Sequence, residues 1–195
     1  MKAVRAAGML VVCGLAMAGN AVAAGRAAAP SAQEIAAKPE LVVAAIQNQN
    51  AEDSAAIVVG ALKAVFASDW PEAKKRQHCV AIVAHAVAAK GKEAAPMMGF
   101  VAARIPPAWL PVVAATAVVA AGDNSPALAK AMLEAVAGDA ALVEACRAAC
   151  ADPSSVLSPA EIAIIRMITL PTPSQSLSKA PPLPVPRPAE KYSGQ

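Results

Sequence analysis

Residues that stop helices recur at nearly even spacing through the second half of this chain. They are Gly91, the Pro106-Pro107 pair, Gly122, Gly138 and Asp152-Pro153, so the stops fall 15, 16, 16 and 14 residues apart. Between two such stops there is room for one helix of about a dozen residues and a tight turn, which forces neighbouring helices to run antiparallel and returns a helical hairpin about every 31 residues. Apolar residues recur with a helical period throughout, and no segment alternates with the period of a strand. The expected fold is therefore all-α, with about eight short antiparallel helices arranged as a compact bundle or a short αα solenoid.

Start signals place the helices. Ser31 with Glu34 three residues on is a capping box, and Ser158-Pro159-Ala160-Glu161 repeats it with proline at the first helical position. Asn124-Ser125-Pro126 and Asp69-Trp70-Pro71 read the same way, and Asn50 and Asp139 are further candidate caps. The resulting spans are 39–49, 51–67, 71–90, 93–104, 108–121, 126–137, 140–151 and 159–169, with a short turn at 32–37. Two sequence echoes accompany them: residues 56–62 align with 81–87, and 117–123 with 133–139. Alanine-rich helices resemble one another by composition, so true repeats and an irregular bundle both remain open at this level.

The faces of several helices are legible. In 126–137, Leu128, Met132, Leu133 and Val136 share one side while Lys130 and Glu134 can pair on the other. In 51–67 the stripe is Val58, Val59, Leu62, Val65 and Phe66. The stretch 108–121 is apolar all round, with Thr116 its one polar side chain, as befits a central helix or one in a membrane. At ~1.5 Å per residue it spans roughly 21 Å, short of a ~30 Å hydrocarbon layer, which favours the central position. Pro111 fits its first turn or kinks it there.

Hydrophobic residues make up 57% of the chain, yet much of that is alanine, which favours helix and buries little surface. Aromatic residues are only Phe66, Phe100, Trp70, Trp109 and Tyr192, so packing has to rely on close approach of small side chains. Residues 31–170 suffice for one all-helical domain with a core.

The two ends differ from this middle. Lys2 and Arg5 precede a short apolar run over 6–18 and a small-residue segment ending Ala21-Val22-Ala23-Ala24, the order that a signal peptidase reads. Residues 1–24 are expected to be a removable signal peptide, and the mature protein to be periplasmic or extracellular in a bacterium. The segment 171–195 carries seven of the 17 prolines and has no apolar period, so a disordered or extended proline-rich tail is expected. Its run over 181–188 resembles peptides that proline-recognising domains bind, but a semi-rigid spacer or wall-crossing tail is the favoured reading.

Chemistry is sparse. Removing Lys2 and Arg5 from 17 basic residues leaves 15 against 14 acidic ones, and a net charge of +1 excludes an electrostatic footprint for nucleic acid. The local cluster Lys74-Lys75-Arg76 reads as a solvated helix end. Cys13 would leave with the signal; Cys146 and Cys150 share a stripe with Leu142 and Val143 and are read as small buried hydrophobes not linked to each other, with a bridge from Cys79 to one of them as the alternative. His78 and His85 stand ~10 Å apart along one helix, too far to share a metal ion, and are assigned to a solvated face. Glu52, Asp53, Asp69, Glu72, Glu134, Asp139, Glu144 and Glu161 mostly fall in first turns, where the helix dipole favours them. No catalytic, cofactor-binding or metal-binding residues are assigned, and no cofactor is expected.

The tandem Ala-Ile-Val-Ala helices behind a signal peptide resemble exported, alanine-rich helical-repeat proteins of bacteria, and in general shape are similar to short tetratricopeptide or HEAT-type solenoids. That resemblance covers the helical part and rests on periodicity. It implies a concave protein-binding surface without catalysis. The functional expectation is a non-catalytic helical module that binds a protein of the cell envelope or is structural there. The alternative is a lipid-binding protein that meets a membrane through 97–121, where Met97, Met98 and Phe100 precede the all-apolar helix.

Overall fold

The computed structural model describes residues 29–170; the expected leader 1–24 and tail 171–195, with Cys13 and Tyr192, lie outside the described residues. Within them the chain is helical without strands. Two six-residue helices, α1 (Ala32–Ala37) and α2 (Leu41–Ile46), precede α3 (Ala51–Ala67), α4 (Glu72–Lys90), α5 (Ala94–Ala102), α6 (Leu110–Ala121), α7 (Ser125–Ala135), α8 (Ala140–Ala151) and α9 (Pro159–Thr169).

Side-chain caps explain the starts of α1, α3, α8 and α9. Ser31 and Ser158 form complete capping boxes with Glu34 and Glu161, Asn50 accepts from the Asp53 N–H, and Asp139 accepts from Ala141 and Leu142. Asp69 and Asn124 are corrections. Pro71 occupies the cap position of α4, and Asn124 stands at the cap of α7 but as the end of a 3-10 turn over Gly122–Asn124, so neither side chain makes a capping bond. The span expected over 39–49 is also shorter, because Leu41, Val42 and Val43 donate to the carbonyls of Lys38, Pro39 and Glu40 in tight turns before α2 settles. Pro111 sits in the first turn of α6, where its missing N–H leaves no helical bond unmade.

Each helix from α1 to α8 packs most extensively on its second neighbour along the chain. One layer runs α1 on α3, α3 on α5 and α5 on α7; the other runs α2 on α4, α4 on α6 and α6 on α8. α9 lies across α4 and α6. α6 is thus central, with Leu110 and Val112 to Ala117 buried and Thr116 satisfied by donating to the Val112 carbonyl at 2.7 Å. The stretch Pro107–Ala135, 29 residues within which 18 consecutive ones reach a mean hydropathy of 1.3, is long and apolar enough to cross a membrane by length and composition. Gly122 divides it at φ +52°, and α6 folds back against α7.

Gly91 and Gly122 stand 31 residues apart, close α4 and α6, and share one backbone conformation, φ 51° with ψ −117° and φ 52° with ψ −119°. Positive φ is where a side chain is disfavoured, so glycine at both positions sets the same turn twice. Burial follows the same interval: Cys79, Ile82, Val83 and Ala86 correspond to Leu110, Val113, Ala114 and Ala117, while Met97, Val101 and Ile105 correspond to Leu128, Met132 and Val136, all inside. The echoes seen in the sequence, at other intervals, compared helices of opposite layers; the structural correspondence joins α4 to α6 and α5 to α7.

Small side chains set the spacing within a layer. A Cβ built on Gly99 of α5 would stand 3.2 Å from the Ala131 carbonyl oxygen of α7, a backbone atom that cannot rotate away. Gly99→Val is expected to force the two helices apart and to destabilise the protein by about 2 kcal/mol. Thermal unfolding of the variant measures this, and an unchanged midpoint would contradict so close an approach.

Candidate functional site

The densest polar arrangement joins α4 to α9. Arg76 donates from Nε to Glu161 Oε1 at 3.1 Å, and from Nη2 to Glu161 Oε2 at 3.3 Å and to the Val156 carbonyl at 2.8 Å. Glu161 Oε2 also accepts from the Ser158 N–H at 2.8 Å and from the Ser158 hydroxyl at 2.9 Å. Burial pushes the Glu161 carboxyl up, but the hydrogen bonds from Arg76 and Ser158 outweigh it and hold the group below the usual carboxylate range. The pair floors a shallow cleft of about 470 Å³ whose rim includes Ala73, Gln77 and Ile164. Its two members are 85 residues apart in sequence.

The other side of α9 is apolar. Leu157, Pro159, Ile162, Met167 and Leu170, with Arg166, line a second cleft of about 470 Å³. Met167 is 70% exposed and Leu170 66%, although Ile165 of the same helix is fully buried. α9 therefore turns one apolar stripe to the core and another to solvent.

The Lys74-Lys75-Arg76 cluster is not the free solvated end that its sequence suggests. Lys74 lies over the Trp70 ring at 4.2 Å, Lys75 donates to the Phe66 carbonyl at 3.0 Å, and Arg76 is committed to Glu161. The histidine face is a second correction. The loops entering α4 and the short N-terminal helices cover it, leaving His78 and His85 half-buried. His78 donates from Nδ1 to the Ala36 carbonyl at 2.7 Å and packs on Trp70 with 4.6 Å between ring centres. Burial pushes the His85 imidazole below its usual value, with Glu40 opposing that shift. The remaining aromatics also bind the fold together, Phe66 stacking on Trp109 at 4.4 Å and Phe100 lying under Arg104, which pairs with Glu52 at 3.0 Å.

Carboxylates do not converge. Glu34, Glu52, Asp53, Glu72 and Glu161 occupy first turns and Asp139 caps α8, as read from the sequence. Glu134 and Glu144 lie farther along their helices and pair with Lys130 at 3.9 Å and Arg147 at 2.6 Å. Among the described residues, no group of three or more His, Cys, Asp or Glu side chains is placed to hold a metal ion, and no buried side-chain polar atom lacks a hydrogen-bond partner.

Cys79 and Cys146 are buried and Cys150 is half-buried, all three as free thiols. Burial pushes the Cys79 thiol up to about 12. Cys146 and Cys150 occupy successive turns of α8, and each thiol shifts the other: the Cys150 thiol beside it draws Cys146 below its usual range, and Cys146 with burial pushes Cys150 up.

The Arg76–Glu161 lock, the apolar flank of α9 and the α8 thiol pair are thus the three features from which a function can be argued. No protein-family model, no curated protein and no solved structure matches this chain.

Proposed function

We propose that the chain is an exported, non-catalytic helical module of the bacterial cell envelope, built as a short αα solenoid, that binds another protein along the solvent side of α9. The observation that carries this reading is the apolar flank of α9. Met167 and Leu170 are two of the large hydrophobic side chains left in water, and they border a cleft whose floor continues into the buried core at Leu157. Exposed apolar surface of this kind, bordered by the charge of Arg166, is the usual chemistry of a protein contact.

Packing of alternate helices in two layers, with the same glycine turn repeated at Gly91 and Gly122, supports the solenoid. Commitment of Arg76, Glu161, Ser158 and the lysines beside them to contacts within the chain supports a role without catalysis and without nucleic acid. A lipid-binding role through 97–121 finds less to work with, since Met97, Met98 and Leu110 face inward and Phe100 is 39% exposed.

Site-specific photo-cross-linking in the native host tests the reading. A photoreactive residue at Met167 is expected to capture one discrete protein, and the same residue at exposed Lys130 of α7 to capture none. Equal adducts at both positions would refute the α9 surface. Flotation of the purified protein with lipid vesicles, in the absence of a cross-linked protein, would favour the lipid-binding alternative.

A further inference from the structure

Cys146 and Cys150 lie one helical turn apart on α8, about 6 Å in axial rise. Cys146 is on the side of the helix that is buried as α8 packs on α6, whereas Cys150 reaches solvent. The two thiols lie on successive turns along one side of the helix and neither is consumed by a disulfide. The charged neighbours on the exposed side, Glu144 and Arg147, are paired at 2.6 Å and leave the sulfurs to themselves.

Two thiols are too few for zinc or an iron–sulfur centre, which require four ligands, and among the described residues no third His, Cys, Asp or Glu joins them. Two thiolates do suffice for a soft, closed-shell monovalent ion, which takes a near-linear pair of sulfur ligands; among the ions that thiolate ligation favours, Cu(I) is the monovalent one. Cys150 also sits in the last turn of α8, where the negative end of the helix dipole disfavours a free thiolate. A monovalent cation between the sulfurs neutralises one of the two thiolate charges and so lowers that penalty.

We propose that Cys146 and Cys150 form a two-thiolate binding site for Cu(I), entered from the Cys150 side. In binding, two S–H bonds release two protons, two copper–sulfur bonds form, and copper stays monovalent, so no electrons are exchanged. Cys79 takes no part, being enclosed in α4 beside Arg76 and Glu161.

The test is anaerobic competition for Cu(I) between a chromophoric two-nitrogen chelator and the full chain carrying Cys13→Ser, read as loss of the chelate's visible absorbance. The expected result is one Cu(I) withdrawn per chain with release of about two protons, at the same affinity after Cys79→Ser, and an affinity more than about tenfold weaker after Cys150→Ser. Cys150 is at the rim, so its serine variant keeps the helical circular dichroism spectrum, and Cys146→Ser is compared only if it does likewise. Failure of the parent chain to compete, equal competition by Cys150→Ser, or loss of binding on Cys79→Ser would each overturn the proposal.

Discussion

Truncating Ile82 to alanine is expected to destabilise the protein by about 3 to 4 kcal/mol, toward the upper part of the range for buried aliphatic truncations. Ile82 is fully buried in α4, the helix on which α2, α3, α6 and α9 all pack. The core of α4 and α6 contains residues that cannot lean in to fill a void: the buried Ala84, Ala86, Ala114 and Ala117 have no rotamer to change. A cavity made there stays open, and the cost of the lost transfer energy is increased by the cavity term. Denaturant unfolding of Ile82→Ala beside Met167→Ala measures the contrast, since exposed Met167 should change stability by no more than about 0.5 kcal/mol. A cost below about 1 kcal/mol for Ile82→Ala would mean that α4 is not the hub of the fold.

The helical plan was legible because local chemistry specifies it. α3, α8 and α9 begin where Asn50, Asp139 and Ser158 stand, each accepting from its own first turn, a relation that spans three residues and needs no knowledge of the rest of the chain. Where the cap readings failed, at Asp69 and Asn124, a proline or a 3-10 turn occupies the junction, and the competing geometry depends on how the preceding helix ends. The buried stripe of Val58, Leu62 and Val65 and the inward face of Leu128 and Met132 followed from periodicity in the same way.

What periodicity cannot supply is the identity of whatever lies opposite a face. His78 and His85 fall on the polar side of α4 by helical spacing, but that side is covered by Trp70 and by the Ala36 carbonyl, both supplied from outside the helix. Lys74, Lys75 and Arg76 look alike in sequence and end with three different partners, an aromatic ring, a carbonyl and a carboxylate. The apolar flank of α9 was in principle readable, because Ile162, Ile165 and Met167 cannot all occupy one stripe of an eleven-residue helix, and Leu170 follows at its end. Deciding which of them remain in water requires the position of α9 across α4 and α6.

Replacing Glu161 tests the long-range contact that the sequence concealed, and its expected cost is the second largest. Glu161→Ala removes the reciprocal half of the capping box on α9, the carboxylate that accepts from Ser158, together with the partner of Arg76, and is expected to cost about 2 to 3 kcal/mol at neutral pH, less than for a fully enclosed pair because the Arg76 side chain is 31% exposed. Glu161→Gln isolates the charge, since an amide can still accept from Ser158. The folded-state carboxyl lies below its unfolded value near 4.3, so the stabilisation is fully present above that pH and is lost as pH falls through the folded value. The gap in stability between the parent and Glu161→Gln should therefore be constant from pH 7 to about 5 and shrink below about 4. Other carboxylates, including Glu34, lower the stability of both proteins in acid and cancel in the difference. A gap that persists unchanged to pH 3 would show that what the glutamine variant loses is packing, and that the Arg76 guanidinium does not depend on the Glu161 charge to hold α9 against α4.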